Sequence, residues 1–368
     1  MREAIASLFL YLLKIYYMKL INYLLIALVF VSSCKEEEVV SVQTFAKDYG
    51  KGMYVVTDNG VSFYDGEVVK SQIYKNVNGG LISNPKKIIF NSGKAYIVGD
   101  EIFIADAETF QDKGLITGFS NVVDLNIVSF NRLFAVDKGA SMVKVVDLSS
   151  LEIITDIETG DSTNPVFAIS NWYRTYVLNG GAVADSLKDS TIIAIDYKDG
   201  AIPLADFMGS IPVGDNPNSA IWNGNLKVLC GGVFDSTNSL VNTESSLYNI
   251  NPWDVEVDWS ETLNGIYNAR GLIENSISSR FYFLANSGVY WMPQNATYTT
   301  QITPMESDIL LYKIETFAVN DTTNAQSAML YLNDAVASPN TIYRYNLLNS
   351  TFSDTIIFDG PVKDIVFY

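Results

Sequence analysis

The chain has 368 residues, of which 48% are hydrophobic, and a formal net charge of −17. So large an apolar fraction excludes a disordered chain, and so negative a charge disfavours binding to nucleic acid or to anionic lipid headgroups. The sequence contains no histidine, which excludes Ser-His-Asp and Cys-His catalysis and histidine-ligated zinc, copper or haem.

A secretory leader is the first element that the sequence predicts. It starts at Met18, continues through an apolar stretch and ends with small residues just before Cys34. A basic start, about ten apolar residues and small residues before a cleavage point make a secretory signal. A membrane-spanning helix over residues 5–31 is the alternative, although Lys14 and Lys19 interrupt the roughly 20 apolar residues that a span needs.

The end of this leader resembles the lipobox of bacterial lipoproteins, in which the cysteine is acylated and the chain is cut just before it. The run that follows is similar to the surface-export signal of Bacteroidota lipoproteins, a lysine followed by acidic residues. This run is Lys35, Glu36, Glu37 and Glu38. The resemblance implies lipidation of Cys34 in an outer-membrane lipoprotein exposed on the cell surface. The leader would cover residues 1–33, within which Met18 is the expected start of translation, and a lipidated tether would cover residues 34–50.

A repeated phrase occupies residues 51–368. It consists of an apolar strand, a polar gap, a second strand that often ends in Asp or Asn, a turn and a third strand. The first strands of the seven phrases are residues 53–56, 95–98, 133–136, 175–178, 226–229, 281–284 and 329–332. A period of roughly 40–50 residues with three or four strands per unit predicts an all-β fold, a seven-bladed β-propeller.

The two ends of the repeat region predict how the ring closes. Residues 362–368 form a strand-like run with no partner after it, and the first phrase lacks the apolar run that precedes the later ones. A C-terminal strand that completes the first blade explains both observations and leaves the ring without open edges. The acids that end second strands, such as Asp65 and Asp147, are predicted to bind the backbone of the following turn.

The phrase resembles the YncE-like, surface-layer-type seven-bladed propellers, and the loops 160–165 and 214–218 look like the Gly-x-x-Pro joints between their blades. Propeller lipoproteins of this kind include ones that capture vitamin B12 for TonB-dependent import. The resemblance therefore implies a small-molecule or glycan ligand, with a corrinoid as one candidate, and a TonB-dependent transporter as partner. Without histidine, a corrinoid would be bound without an imidazole–cobalt bond.

The predicted ligand site lies on the propeller face that carries the blade joints and the turns between the two middle strands of each blade. Ligands usually bind in the funnel of this face. Polar side chains at the strand ends and joints are the candidates, although each of them can equally cap a strand or fill a turn. They are Asp58, Asp100, Asp137, Asn179, Asn218, Arg270, Asn286 and Asn333.

Arg270 and Cys230 are the remaining residues whose side chains could carry chemistry. Arg270 has equal reason to bind a carboxylate or phosphate of a ligand and to pair with one of the many surplus acids. Cys230 lies in an apolar run and is predicted to be a buried, inert thiol. No metal site and no cofactor are predicted, because no calcium-loop or CxxC spacing is present.

These observations favour a non-enzymatic surface lipoprotein that captures a ligand in the funnel and delivers it to an outer-membrane transporter. Two alternatives stay open. A metal-assisted lactonase or lyase that works without histidine predicts a divalent metal in the channel. A protein-interaction or adhesion module predicts a large apolar patch on one face.

Overall fold

A computed structural model gives the structure of the chain. It describes residues 7, 10–20 and 46–368, except for 161–162, 172, 181, 185–186, 198–204, 276–279, 286–287, 303–314, 318–328, 335–336 and 348–349. Some residues named above lie outside the described residues. They are Cys34, Lys35, Glu36, Glu37, Glu38 and Asn286.

The chain divides into two compact units, Met1–Phe45 and Ala46–Tyr368. In the first unit, residues 10–20 form helix α1. None of the helices in the described part of the chain has both the length and the apolar character that crossing a membrane requires.

The second unit consists of four-stranded antiparallel sheets, which are the blades of a propeller. Blade 1 contains β1 (Met53–Thr57), β2 (Gly60–Tyr64), β3 (Val69–Lys70) and β30 (Val362–Phe367). Blade 2 contains β4 (Lys87–Asn91), β5 (Lys94–Val98), β6 (Ile102–Asp106) and β7 (Asp112–Ile116). Blade 3 contains β8 (Val122–Ser129), β9 (Arg132–Asp137), β10 (Met142–Asp147) and β11 (Glu152–Glu158). Helix α2 (Ile73–Asn78) lies in the joint between blades 1 and 2.

The other four blades repeat this order of strands. Blade 4 contains β12 (Pro165–Ser170), β13 (Arg174–Asn179), β16 (Thr191–Tyr197) and β17 (Ala205–Pro212), with a separate pair, β14 (Ala182–Ala184) and β15 (Leu187–Lys188), between its middle strands. Blade 5 contains β18 (Pro217–Asn223), β19 (Asn225–Cys230), β20 (Ser246–Asn251) and β21 (Glu256–Thr262). Blade 6 contains β22 (Arg270–Asn275), β23 (Arg280–Ala285), β24 (Gly288–Pro293) and β25 (Thr300–Gln301). Blade 7 contains β26 (Glu315–Phe317), β27 (Met329–Asp334), β28 (Ser338–Asn346) and β29 (Thr351–Ile357).

This arrangement confirms the predicted all-β, seven-bladed propeller, and it also confirms the closure of the ring by the C-terminal strand. Strand β1 pairs on one side with β2 and on the other with β30, in a register that places Met53 opposite Phe367. The pairing extends one step further, because Gly52 and Tyr368 exchange two backbone hydrogen bonds of 3.1 and 3.0 Å. Blade 1 is therefore built from both ends of the repeat region.

The second strand of each blade explains why the sequence pattern is so clear. Strand β1 and strand β13 are buried along their whole length, whereas the outer strand β11 is mostly exposed. A blade packs between two neighbours, so both faces of its middle strands are covered and the side chains read as a continuous apolar run. In one such interface Tyr54 of blade 1 packs its ring 4.5 Å from that of Phe90 of blade 2.

The acids at strand ends have the structural role that the sequence predicts. Asp65 accepts hydrogen bonds from the backbone N–H groups of Glu67 and Val68 at 2.9 and 2.8 Å. Asp147 accepts one from Ser149 at 2.7 Å. The hydrogen bonds from Val68 and Glu67 hold the pKa of Asp65 below its ordinary value, and the bond from Ser149 lowers the pKa of Asp147. A depressed pKa means that these turns stabilise the fold above the unfolded-state pKa and lose that contribution as the pH falls through the folded-state pKa.

Candidate functional site

The innermost strands of the blades surround the propeller axis. In order around the ring they are β30, β4, β8, β12, β18, β22 and β26, and each contacts the next. Each of β4, β8, β12, β18, β22 and β26 starts after a blade joint, so they run in the same direction along the axis. We call the end at which they start the joint face and the opposite end, where hairpins connect them to the second strands, the hairpin face.

A cavity of about 460 Å³ lies among these strands. Five of them line it, namely β4, β12, β18, β22 and β30, and Tyr368 lines it just beyond the end of β30. Its walls are mainly apolar, with Ile89 and Phe90 from blade 2, Phe167 from blade 4 and Ile273 from blade 6. The polar side chains among the lining residues are Lys87, Ser219, Asp364 and Tyr368. We call this space the axial cavity.

Polar side chains near the starts of four inner strands form one level of the ring, which we call the polar tier. It consists of Lys87, Asp124, Ser219 and Asp364. Three of these side chains accept a hydrogen bond from a backbone N–H of the next blade's inner strand. The bonds are Ile88 N to Asp364 Oδ2 at 3.0 Å, Ala168 N to Asp124 Oδ2 at 2.9 Å and Leu272 N to Ser219 Oγ at 3.0 Å.

These bonds have a simple physical cause. The innermost strand of a blade has a neighbouring strand on one side only, so its other edge presents unpaired N–H groups, and buried N–H groups need a partner. A short polar side chain from the preceding blade supplies it. The three bonds join blade 1 to blade 2, blade 3 to blade 4 and blade 5 to blade 6.

Lys87 links the polar tier across the joint between blades 2 and 3. Its Nζ lies 2.5 Å from Oδ1 of Asp124, and it lies 5.1 Å from the centroid of the Phe167 ring. The Asp124 side chain is 1% exposed, whereas that of Lys87 is 27% exposed. The ammonium group is therefore the charged end of this pair that solvent or a ligand can reach.

Aromatic rings occupy the hairpin-face end of the axial cavity. The rings of Phe90 and Tyr368 stack with their centroids 4.4 Å apart and their planes at 21°. Phe367 also lines this end. The cavity thus has a polar end near the joint face and an aromatic end near the hairpin face.

The described candidate residues lie at the strand ends, turns and joints of the joint face. Asp58 forms an ion pair with Lys363 at 2.5 Å, and Asp100 accepts a hydrogen bond from Asn84 Nδ2 at 3.1 Å. Asp137 is buried and accepts hydrogen bonds from the N–H groups that open the joint before β8. These donors are Ser120 N at 2.9 Å and Asn121 N at 2.8 Å.

The amide and guanidinium candidates also have internal partners. Asn179 Nδ2 donates to Thr159 O at 3.0 Å, Asn218 Nδ2 donates to Ala269 O at 2.8 Å, Asn333 Nδ2 donates to Thr341 O at 2.8 Å, and Arg270 Nη1 donates to Asn268 O at 3.1 Å. Among the described candidates, none lines the axial cavity. Their role in ligand binding stays a prediction.

The polar tier is the part of this region that sequence reasoning missed. Its signal was present, because Lys87, Asp124 and Asp364 are charged residues inside apolar inner-strand runs. A charge in the buried part of a strand normally requires a specific partner.

Two other groups bear on the chemistry. Cys230 is fully buried, and burial raises the pKa of its thiol to about 12, so the reactive thiolate is scarce at neutral pH. Over the residues that the structure describes, no group of three or more Cys, Asp or Glu side chains is placed to hold a metal ion.

No protein-family model and no curated protein sequence matches this chain, whereas 1216 solved chains match its structure. One is the hydrazine synthase of Kuenenia stuttgartiensis, with a TM-score of 0.59 and 13% identity, covering 80% of this chain and 90% of that one. Another is a quinoprotein alcohol dehydrogenase-like protein from Bacteroides thetaiotaomicron, with a TM-score of 0.64 and 16% identity, covering 86% and 78%. At such identities a likeness shows the fold and not the chemistry. The chain is a seven-bladed β-propeller whose structural neighbours include alcohol dehydrogenase-like propellers.

Proposed function

We propose that this protein is a binding protein that captures a small ligand in the axial cavity and passes it to a transporter of the outer membrane. The observation that carries the proposal is the cavity itself, about 460 Å³ with apolar walls and one group of polar side chains at its joint-face end. Small-molecule sites are typically cavities of roughly 300–1,000 Å³ in which a few fixed polar groups orient a ligand against apolar walls.

The hydrogen bonds that the polar tier already makes favour a role in ligand binding over a role in catalysis. A general base or nucleophile needs a lone pair aimed at the reacting atom. Asp124, Asp364 and Ser219 each direct an oxygen to a backbone N–H of the next blade instead. These side chains are suited to hold the cavity in shape.

The lipoprotein leader supplies the rest of the proposal. Lipidation of Cys34 would tether the propeller to the outer membrane, and the export run after it would display the propeller at the cell surface. A corrinoid is bulkier than the axial cavity and would have to rest on the joint face. A TonB-dependent transporter would receive the captured ligand.

Binding in the axial cavity is tested by calorimetry and by native mass spectrometry. The probes are cyanocobalamin, haemin, a set of oligosaccharides and a set of small amphipathic aromatic compounds. We expect at least one class to bind, and we expect Phe167→Ala to weaken that binding about tenfold, close to 1.4 kcal/mol, because a wall of the cavity is lost.

The matched control is Phe207→Ala, which changes the same residue type in the same blade on the exposed outer strand β17. It should bind as the parent protein does. The proposed function would be overturned if no probe of the four ligand classes bound. If Phe167→Ala and Phe207→Ala bound the ligand with equal affinity, the ligand would bind outside the axial cavity.

The lipid anchor is tested in a Bacteroidota host by metabolic labelling with an alkyne fatty acid. We expect Cys34→Ser to abolish the label and Cys230→Ser, which changes the other cysteine of the chain, to retain it. Replacing Lys35 and the three glutamates after it by glutamine should protect the protein from protease added to whole cells. Persistent cleavage of that variant would refute the export signal.

A further inference from the structure

We infer that the ligand of the axial cavity is an uncharged, planar molecule whose largely apolar body carries an oxygen acceptor, and that Lys87 binds this oxygen. The inference rests on the proposed function, because it assumes that a ligand occupies the cavity. It adds the chemical class of that ligand and the residue that selects it.

The charges of the polar tier disfavour ionic ligands. Lys87 already has the carboxylate of Asp124 at 2.5 Å, and Asp364 brings a second carboxylate into the same tier. An anionic ligand would leave water to meet a cation that is already neutralised and a second negative charge nearby, which is costly. A cationic ligand would leave water without gaining a partner, because Asp124 and Asp364 are 1% and 2% exposed and offer it almost no surface.

The hydrogen-bond donors that remain in the polar tier favour a ligand that carries an acceptor. The Ser219 hydroxyl donates to Asn218 Oδ1 at 2.9 Å and accepts from Leu272 N, so both of its functions are used. An ammonium group has three donors. In the described part of the chain the hydrogen-bond partner of Lys87 Nζ is Asp124, so donors remain for a ligand carbonyl, ether or hydroxyl oxygen.

The walls of the axial cavity select a flat ligand. The Phe167 ring lies beside the Lys87 ammonium, and the stacked rings of Phe90 and Tyr368 occupy the opposite end. Aromatic rings pack best in offset-stacked or edge-to-face contact with other flat rings. A planar ring system with its oxygen at one end meets both Lys87 and these aromatic rings.

Three naphthalene dyes of nearly equal size separate the elements of this inference. The neutral ketone 6-propionyl-2-(dimethylamino)naphthalene has a planar body and a carbonyl acceptor. Its 6-propyl analogue lacks the acceptor, and 6-(dimethylamino)-2-naphthoate replaces the ketone by an anion. Fluorescence titration of the full propeller gives the affinity for each dye, and the emission maximum of the ketone reports a hydrogen bond to its carbonyl.

We expect the ketone to bind about tenfold more tightly than the propyl analogue, as one hydrogen bond to a charged donor predicts, and about tenfold more tightly than the naphthoate, whose charge has to leave water. Lys87→Met should remove the preference of the protein for the ketone over the propyl analogue and shift the emission of the bound ketone to the blue. A merely structural role of Lys87 in the joint between blades 2 and 3 would leave both readouts unchanged.

The control is Lys113→Met on the exposed outer strand of the same blade, which should behave as the parent protein does. If Lys87→Met fails to fold because Asp124 loses its partner, the pair Lys87→Met with Asp124→Asn removes both charges and keeps an acceptor for Ala168 N. Tighter binding of the naphthoate than of the ketone would overturn the inference. The inference would also be overturned if none of the three dyes bound while another probe did bind in the axial cavity. If no probe of any class bound, the proposed function would be overturned as well.

Discussion

Deleting residues 362–368 is expected to destroy the cooperative unfolding of the propeller. The deletion removes β30, the strand that pairs with β1, and with it the buried side chain of Ile365. Loss of a buried Ile side chain alone costs about 2–5 kcal/mol, and the deletion also exposes the edge of β1 and opens the ring. We expect a loss of about 5 kcal/mol or more, measured as a broadened and strongly lowered thermal transition in circular dichroism.

Lys363→Gln provides the control within the same strand. It removes an ion pair with Asp58 whose side chains are 30% and 51% exposed, and such pairs contribute about 0–1 kcal/mol. A synthetic peptide of residues 358–368 added to the truncated chain should restore part of the transition, because it can pair with β1 as the missing strand. A truncated chain that melts like the full one would contradict the closure of the ring.

The second large effect is expected from Asp124→Ala in the polar tier. The substitution leaves the Lys87 ammonium without its carboxylate and the Ala168 N–H without its acceptor. Leaving the buried Ala168 N–H without its acceptor typically costs about 1–3 kcal/mol, and the unpaired Lys87 ammonium, which solvent can reach, adds a smaller amount. Urea unfolding should therefore show a lowered midpoint with an unchanged slope.

Asp156→Ala is the matched control, because Asp156 also pairs with a lysine, Lys144, but is 42% exposed. We expect it to change the free energy of unfolding by about 0–1 kcal/mol. Adding Lys87→Met to Asp124→Ala should recover part of the lost stability, because the unpaired cation is then gone. If Asp124→Ala and Asp156→Ala proved equally mild, the polar tier would not hold the inner strands together.

The fold was predictable because its strongest determinant is local. A middle strand covered on both faces, such as β13, must be apolar at nearly every position, and the recurrence of such runs identifies the blades. Closure was predictable for a similar reason, since the apolar run missing before the first phrase appears after the last one. Each inference needs only the order of residues in a short segment.

The axial cavity was not predictable in the same way, because its determinants lie far apart in sequence. Asp364 and Ile88, which it caps, are 276 positions apart, and Lys87 and Asp124 are 37 positions apart. These contacts depend on the order of the blades around the ring. Asp137 and Asn333 stand near strand ends, where their polar character is visible in the sequence, yet their described hydrogen bonds lie within the neighbouring turns and joints.

The pairing of β1 with β30 also places a condition on the order of events during folding. A chain that emerges from its N-terminal end first displays β1 with one bare edge until nearly all of its residues have been made. Blades 2 to 7 each draw their four strands from one continuous segment and can form as they appear. Blade 1 has to wait for β30, and because this contact closes the longest loop of the ring we expect it to form last.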